Sequence, residues 1–267
     1  MADLNNKLIE GVDFNVLSGA RLNRESPMIG VIGATAPTTP YKDLQGFEVG
    51  YKIREFLEKN PGTIFTGGVG GVGSDVYFGI VKYCINQGVK TGEIPKDKFF
   101  VIVPNGMAYV DFKTHRKVDL PFSLPETYTL LAKFLPKKKI DIVRAGNNMR
   151  ERRLNLSSLA DVLIVVNGSS GTDHEAYTGL KWGKKIIALP YTGGTAQLLN
   201  LVRKGEYKIP KREKERNLSR KLFSEQYFIK DLTSDPLDFR LINPELINIA
   251  NSSEELIGML KKILYSK

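Results

Sequence analysis

The chain has 267 residues, of which 42% are hydrophobic and 25% charged, the composition of a globular protein with a sizeable core. Its longest apolar runs are about five residues, far short of a membrane span, and its one cysteine, Cys84, excludes an internal disulfide. The formal net charge of +10 invites a nucleic-acid reading, but nine Lys/Arg against three Glu between Arg203 and Lys221 supply more than half of it. A basic insertion at about 203–240 on a near-neutral body is therefore expected, with nucleic acid an unlikely partner. The first residues, Met1 to Asn6, lack a basic region followed by an apolar core, so no secretory signal is expected and the cytoplasm is the expected location.

In chain order, residues 1–27 read as an N-terminal lead-in, and 28–267 as a single domain. Met28 to Gly33 reads as a buried first strand that opens into the loop Ala34 to Pro40. From Asp43 to Lys59 the apolar residues Leu44, Phe47, Ile53, Phe56 and Leu57 fall mostly at helical spacing, and Pro61-Gly62 ends that helix. Thr63 to Thr66 is a second strand, followed by five glycines within residues 67–73. Each glycine costs backbone entropy on folding, so packing alone does not account for them. A helix with Val76, Ile80, Val81, Cys84 and Ile85 on one face follows Ser74. Phe99 to Val103 is a third strand. Residues 107–140 are less regular, with a helix expected over Glu126 to Phe134.

Asp141 to Val143 is a brief strand that leads to Asn148-Met149-Arg150-Glu151-Arg152-Arg153. The run Val162 to Val166 then enters the turn Asn167-Gly168-Ser169-Ser170-Gly171, with Thr172 or Asp173 expected to cap the next helix and Glu175 to sit in its first turn. Lys185 to Pro190 is another buried strand, and Leu246 to Ile249 the last. Ser252-Ser253-Glu254-Glu255 begins a terminal helix. Strands alternating with helices predict a Rossmann-like α/β fold: a doubly wound, mostly parallel sheet with helices on both faces.

Several familiar chemistries fit poorly. Gly68 to Gly73 satisfies G-x-G-x-x-G, but the strand after it ends in Pro104-Asn105-Gly106 with no carboxylate for a ribose, and the loop follows the second strand. Gly168-Ser169-Ser170-Gly171 lacks the G-x-S-x-G elbow of a serine nucleophile. Two histidines, His115 and His174, and one cysteine form no recognisable metal-ligand set.

The glycine loop, Met149-Arg150-Glu151-Arg152-Arg153 and Gly168 to Glu175 together resemble the LOG superfamily. That group includes cytokinin riboside monophosphate phosphoribohydrolases, proteins labelled "possible lysine decarboxylase" and nucleotide-sensing SLOG-type domains. Its patterns are M-[HR]-x-R-K and P-G-G-x-G-T-x-x-E. Met149, Arg150, Arg152 and Arg153 match the first, with Arg for the final Lys; Gly168, Gly171, Thr172 and Glu175 match the second. Asn167 stands in place of Pro and Ser169 in place of the second Gly.

The resemblance implies a nucleotide-binding protein that hydrolyses the N-glycosidic bond of a nucleoside 5′-monophosphate to free base and ribose 5-phosphate. The alternative it leaves open is a non-catalytic sensor or carrier. It assigns catalysis to Arg152 and Glu175, and nucleotide or phosphate binding to Gly70, Gly71, Gly73, Met149, Arg153, Gly168, Ser169, Gly171 and Thr172. It also implies a homodimer. No cofactor is expected, because no lysine stands in a recognisable context for the pyridoxal phosphate that the decarboxylase label implies.

Overall fold

The computed structural model describes residues 26–35, 37–68, 71–89, 98–103, 141–146, 149–208 and 237–266. Gly70, the expected helix over Glu126 to Phe134 and most of the basic segment lie outside these residues.

Among the described residues there are seven strands: β1 (Met28–Gly33), β2 (Thr63–Thr66), β3 (Phe99–Val103), β4 (Asp141–Arg144), β5 (Val162–Val166), β6 (Lys185–Leu189) and β7 (Ile247–Ile249). Six α-helices accompany them: α1 (Asp43–Phe56), α2 (Val72–Asn86), α3 (Met149–Leu159), α4 (Ser170–Lys181), α5 (Gly194–Arg203) and α6 (Ser253–Tyr265). The strands form one sheet in the order β4-β3-β2-β1-β5-β6-β7, and every pairing is parallel. No helix among the described residues is long and apolar enough to cross a membrane.

Strands buried on both faces need continuous apolar runs rather than alternation. Val162 to Val166, all at 0% exposure, meet that need at the centre of the sheet. Fully burying each such side chain contributes about 1.5–3 kcal/mol. Ile29, Val31 and Ile164 face one layer, with Val49 and Ile53 of α1, Val76 of α2 and Leu256 of α6. Met28, Ile32 and Val165 face the other, with Leu156 of α3, Ala176 of α4 and Leu199 of α5. Helices therefore cover both faces, as the sequence predicts.

The chain builds β1 to β4 outward in one direction, then crosses back to lay β5 on the free side of β1. The connections leaving β1 and β5 thus diverge, which opens a crevice beyond their carboxyl ends, where ligands of open α/β sheets bind. Gly33 and Val166 are register partners there.

Helices α1 and α2 cross at close range because glycines line the contact. A methyl group on Gly50 would overlap the Val76 carbonyl, and one on Gly79 would overlap that of Phe47. Gly258, in α6, has open space around it. Alanine is favoured over glycine in a helix by about 1 kcal/mol, whereas overpacking against backbone costs about 1–3 kcal/mol or more. Gly258→Ala should therefore raise the melting temperature and Gly50→Ala lower it, measured by thermal unfolding of the two variants side by side.

Candidate functional site

The glycine loop after β2 folds under the loop leaving β1. Gly68 and Gly71 have φ of +63° and +71°. A methyl group on Gly71 would overlap the carbonyl oxygens of Ala34 and Thr35, so only glycine fits. The Val72 N–H donates to Ala34 O at 3.1 Å. Helix α2 begins at Val72, earlier than its sequence suggests, which places Gly73 in its first turn, 3.6 Å from Thr66 Oγ1 measured from a methyl built on it.

Beyond β5 the chain turns through Asn167 (φ +54°) and Gly168 (φ +123°). Ser169 is extended, at φ −142° and ψ −166°, and forms the N-cap of α4 without a capping bond from its side chain. Ser169, not Thr172 or Asp173, therefore holds the cap position, α4 starts at Ser170, and Glu175 lies in its second turn rather than its first. Thr195 Oγ1 donates to Asp173 Oδ1 at 2.7 Å, and Thr172 is buried beneath Gly168. The first N–H groups of α4 have no acceptor within the helix, and Ser169 and Ser170 are exposed. Gly171 has ordinary helical backbone angles, so the turn does not demand glycine there. A methyl on it would stand 3.1 Å from Arg153 Nη2. Arg153 thus brings positive charge to the same helix end.

Arg152 and Glu175 form a buried ion pair, with residue exposures of 4% and 5%, through Arg152 Nη1 and Glu175 Oε1. Arg152 Nη2 also donates to Gly67 O at 2.8 Å, and Nε to Ile102 O at 3.3 Å. A side chain on Gly67 would displace the guanidinium. Burial pushes the Glu175 carboxyl above the usual carboxylate range, against the opposing pull of Arg152 and Arg153. Ser157 Oγ donates to Glu175 O at 2.9 Å and ties α3 to α4. Met149 begins α3 half-buried, while Arg150 faces solvent. The structure thus brings Arg152, Arg153, Glu175, Gly171 and the start of the glycine loop to one edge of the sheet.

One cluster is not foreseen by sequence reasoning. Asp75, in the first turn of α2, is 1% exposed. Its Oδ2 accepts from Tyr41 Oη at 2.5 Å, while Oδ1 has no hydrogen-bond partner among the described residues. Burial raises its carboxyl to about 7, the Tyr41 bond opposes the rise and the Asp43 charge adds to it. Gly46 leaves room for the pair, since a methyl there would overlap the Tyr41 hydroxyl. An aspartate between Val72 and Val76 at the head of an apolar helix, facing a glycine inside another helix, is the signal that could have revealed it.

Among the described residues, no cluster of three or more His, Cys, Asp or Glu could hold a metal ion. No protein-family model matches the chain, and no curated protein matches it. Among solved structures, TM1055 matches at 18% identity and a TM-score of 0.49, over 88% of this chain and 99% of that one. A molybdenum cofactor binding protein from the phototrophic bacterium Rippkaea orientalis matches at 18% identity and a TM-score of 0.45, over 89% and 97%. The molybdenum cofactor carrier protein from Chlamydomonas reinhardtii matches at 15% and 0.44, over 90% and 99%. Likeness at these values says nothing about ligands; the fold assignment rests on the seven-stranded parallel sheet itself.

Removing one partner of a buried ion pair leaves an uncompensated charge, which typically costs about 3–5 kcal/mol. Arg152→Met should destabilise the protein on that scale, and adding Glu175→Gln should recover a large part of the loss. Chemical denaturation of wild type, both single variants and the double variant measures this. A double variant no more stable than Arg152→Met would show that the stranded carboxylate is not the cause.

Proposed function

We propose that the chain binds a nucleoside 5′-monophosphate in the crevice beyond β1 and β5 and hydrolyses its N-glycosidic bond. The observation that carries this reading is the meeting, at one sheet edge, of a helix N-terminus whose N-cap Ser169 makes no side-chain capping bond and the buried Arg152–Glu175 pair. The motif resemblance supports the same site. In this reading the phosphate rests on the first N–H groups of α4, between Ser169 and Thr172, with Arg153 adding positive charge. Gly168 and Gly171 let it approach the main chain. Gly71 and Gly73 line the opposite wall, and the resemblance assigns nucleotide binding to Gly70 and Met149 as well.

Cleavage passes through an oxocarbenium-like state at C1′, by analogy with glycoside hydrolysis. A carboxylate stabilises that positive charge and orients the attacking water. Glu175 is the group for that task, and Arg152 holds its carboxylate in place and aids departure of the base. Water adds to C1′ as hydroxyl, and the departing base takes the proton.

A second reading, a sensor or carrier that binds without turnover, is favoured by one observation. Three nitrogens of Arg152 donate to protein acceptors: Glu175, Gly67 O and Ile102 O. A guanidinium tied in this way serves the fold whether or not a reaction occurs.

Product analysis separates the readings. Wild-type protein saturated with each common nucleoside 5′-monophosphate should release free base. Glu175→Gln should lower kcat by about 10²-fold or more, the usual scale for a positioned acid–base group, while nucleotide affinity changes only a few-fold. If wild type binds a monophosphate yet releases no more base than Glu175→Gln, the hydrolase reading falls and the binding reading stands.

A further inference from the structure

Asn167, the first residue after β5, is fully buried in a left-handed conformation that asparagine tolerates better than most residues. Its backbone N–H donates to Thr192 Oγ1 at 2.6 Å, and that hydroxyl donates to Leu189 O at 2.6 Å. Its side-chain Nδ2 donates to Thr192 O at 2.6 Å and to Thr38 O at 3.2 Å. One amide therefore joins the turn after β5 to the turn after β6 and to the loop after β1. The amide's orientation follows from its partners, since exchanging its oxygen and nitrogen would set oxygen against two carbonyl oxygens.

The three segments also touch directly. A methyl group on Gly193 would lie 2.6 Å from Pro40 Cδ, and one on Gly194 would lie 2.8 Å from the Gly168 nitrogen. The loop after β1 is pinned at its far end as well, by the bond from Tyr41 to Asp75. Asn167 Oδ1 is buried and has no hydrogen-bond partner among the described residues, which weighs against folding. An amide that holds three segments while leaving its own acceptor unmatched is placed for the geometry of those segments rather than for stability.

We propose that Asn167 is a positioning residue for the phosphate site: it fixes three turns relative to one another and so aims the first N–H groups of α4 at the anion. This rests on the phosphate site argued above. The phosphate of a ligand, rather than its base or ribose, should then register the loss of the amide.

Asn167→Gly tests this directly, because glycine keeps the left-handed backbone at no steric cost and removes only the side-chain ties. The probes are whichever of the common nucleoside 5′-monophosphates wild type binds most tightly, and the nucleoside of the same base, titrated by calorimetry. The ratio of monophosphate to nucleoside affinity should fall about tenfold, the scale of one lost hydrogen bond, with a cooperative thermal transition retained. Thr192→Val, which removes only the hydroxyl that receives the Asn167 N–H, should lower the same ratio if Asn167→Gly fails to fold. An unchanged ratio in a folded variant, or an equal loss for both probes, would overturn the positioning role. A wild type that binds the monophosphate no better than the nucleoside would overturn the phosphate site and this inference with it.

Discussion

The arrangement of the site depends on one buried ion pair. Arg152 and Glu175 lie almost out of reach of water, where an unpaired charge would be costly and a paired one is held only by good geometry. That geometry draws on four elements: α3 supplies the guanidinium, α4 the carboxylate, and the ends of β2 and β3 the carbonyl oxygens of Gly67 and Ile102. Gly67 must be glycine for the guanidinium to occupy its place. Four separate stretches of sequence are thereby committed to one small volume, and the start of the glycine loop is anchored there.

Around that pair the carboxyl edge is built from turns that hold one another. The loop after β1 reaches the turn after β5 through Thr38 and Asn167, and the head of α2 through Tyr41 and Asp75. It thus spans the point where the two halves of the sheet part. The close glycine contacts between α1 and α2 keep the Asp75 side of this arrangement fixed. Under the proposed function, this framing serves a ligand that carries a compact anion at one end, because a phosphate rewards amides that are already aligned.

Much of this fold is legible in the sequence. Thr63–Thr66, Phe99–Val103 and Val162–Val166 emerge with the bounds read from their apolar runs, since glycine or proline marks their ends and strands buried on both faces leave little ambiguity. Arg152 and Glu175, which the motif resemblance singles out, do meet in space. Helix starts were less legible. Ser169, Thr172 and Asp173 are all good cap formers, so residue type does not choose among them; the backbone is extended at Ser169, and Asp173 is engaged by Thr195. Likewise α2 begins inside the glycine loop, where glycine-rich sequence argues against helix. Asp75 stands out as an aspartate at the head of an apolar helix, but the partners of Asn167 and Asp75 cannot be read from local pattern, because they lie from 25 to 129 positions away.

The central claim is that the crevice beyond β1 and β5 receives a nucleotide phosphate at the head of α4. A crystal structure of the protein with a nucleoside 5′-monophosphate tests it most directly. The account predicts phosphate oxygens at about 3 Å from the backbone nitrogens of Gly171 and Thr172, the normal hydrogen-bond distance, with the ribose lying toward Glu175. A phosphate seated at the amino edge of the sheet or on the basic segment after Arg203, with the head of α4 left to water, would contradict it.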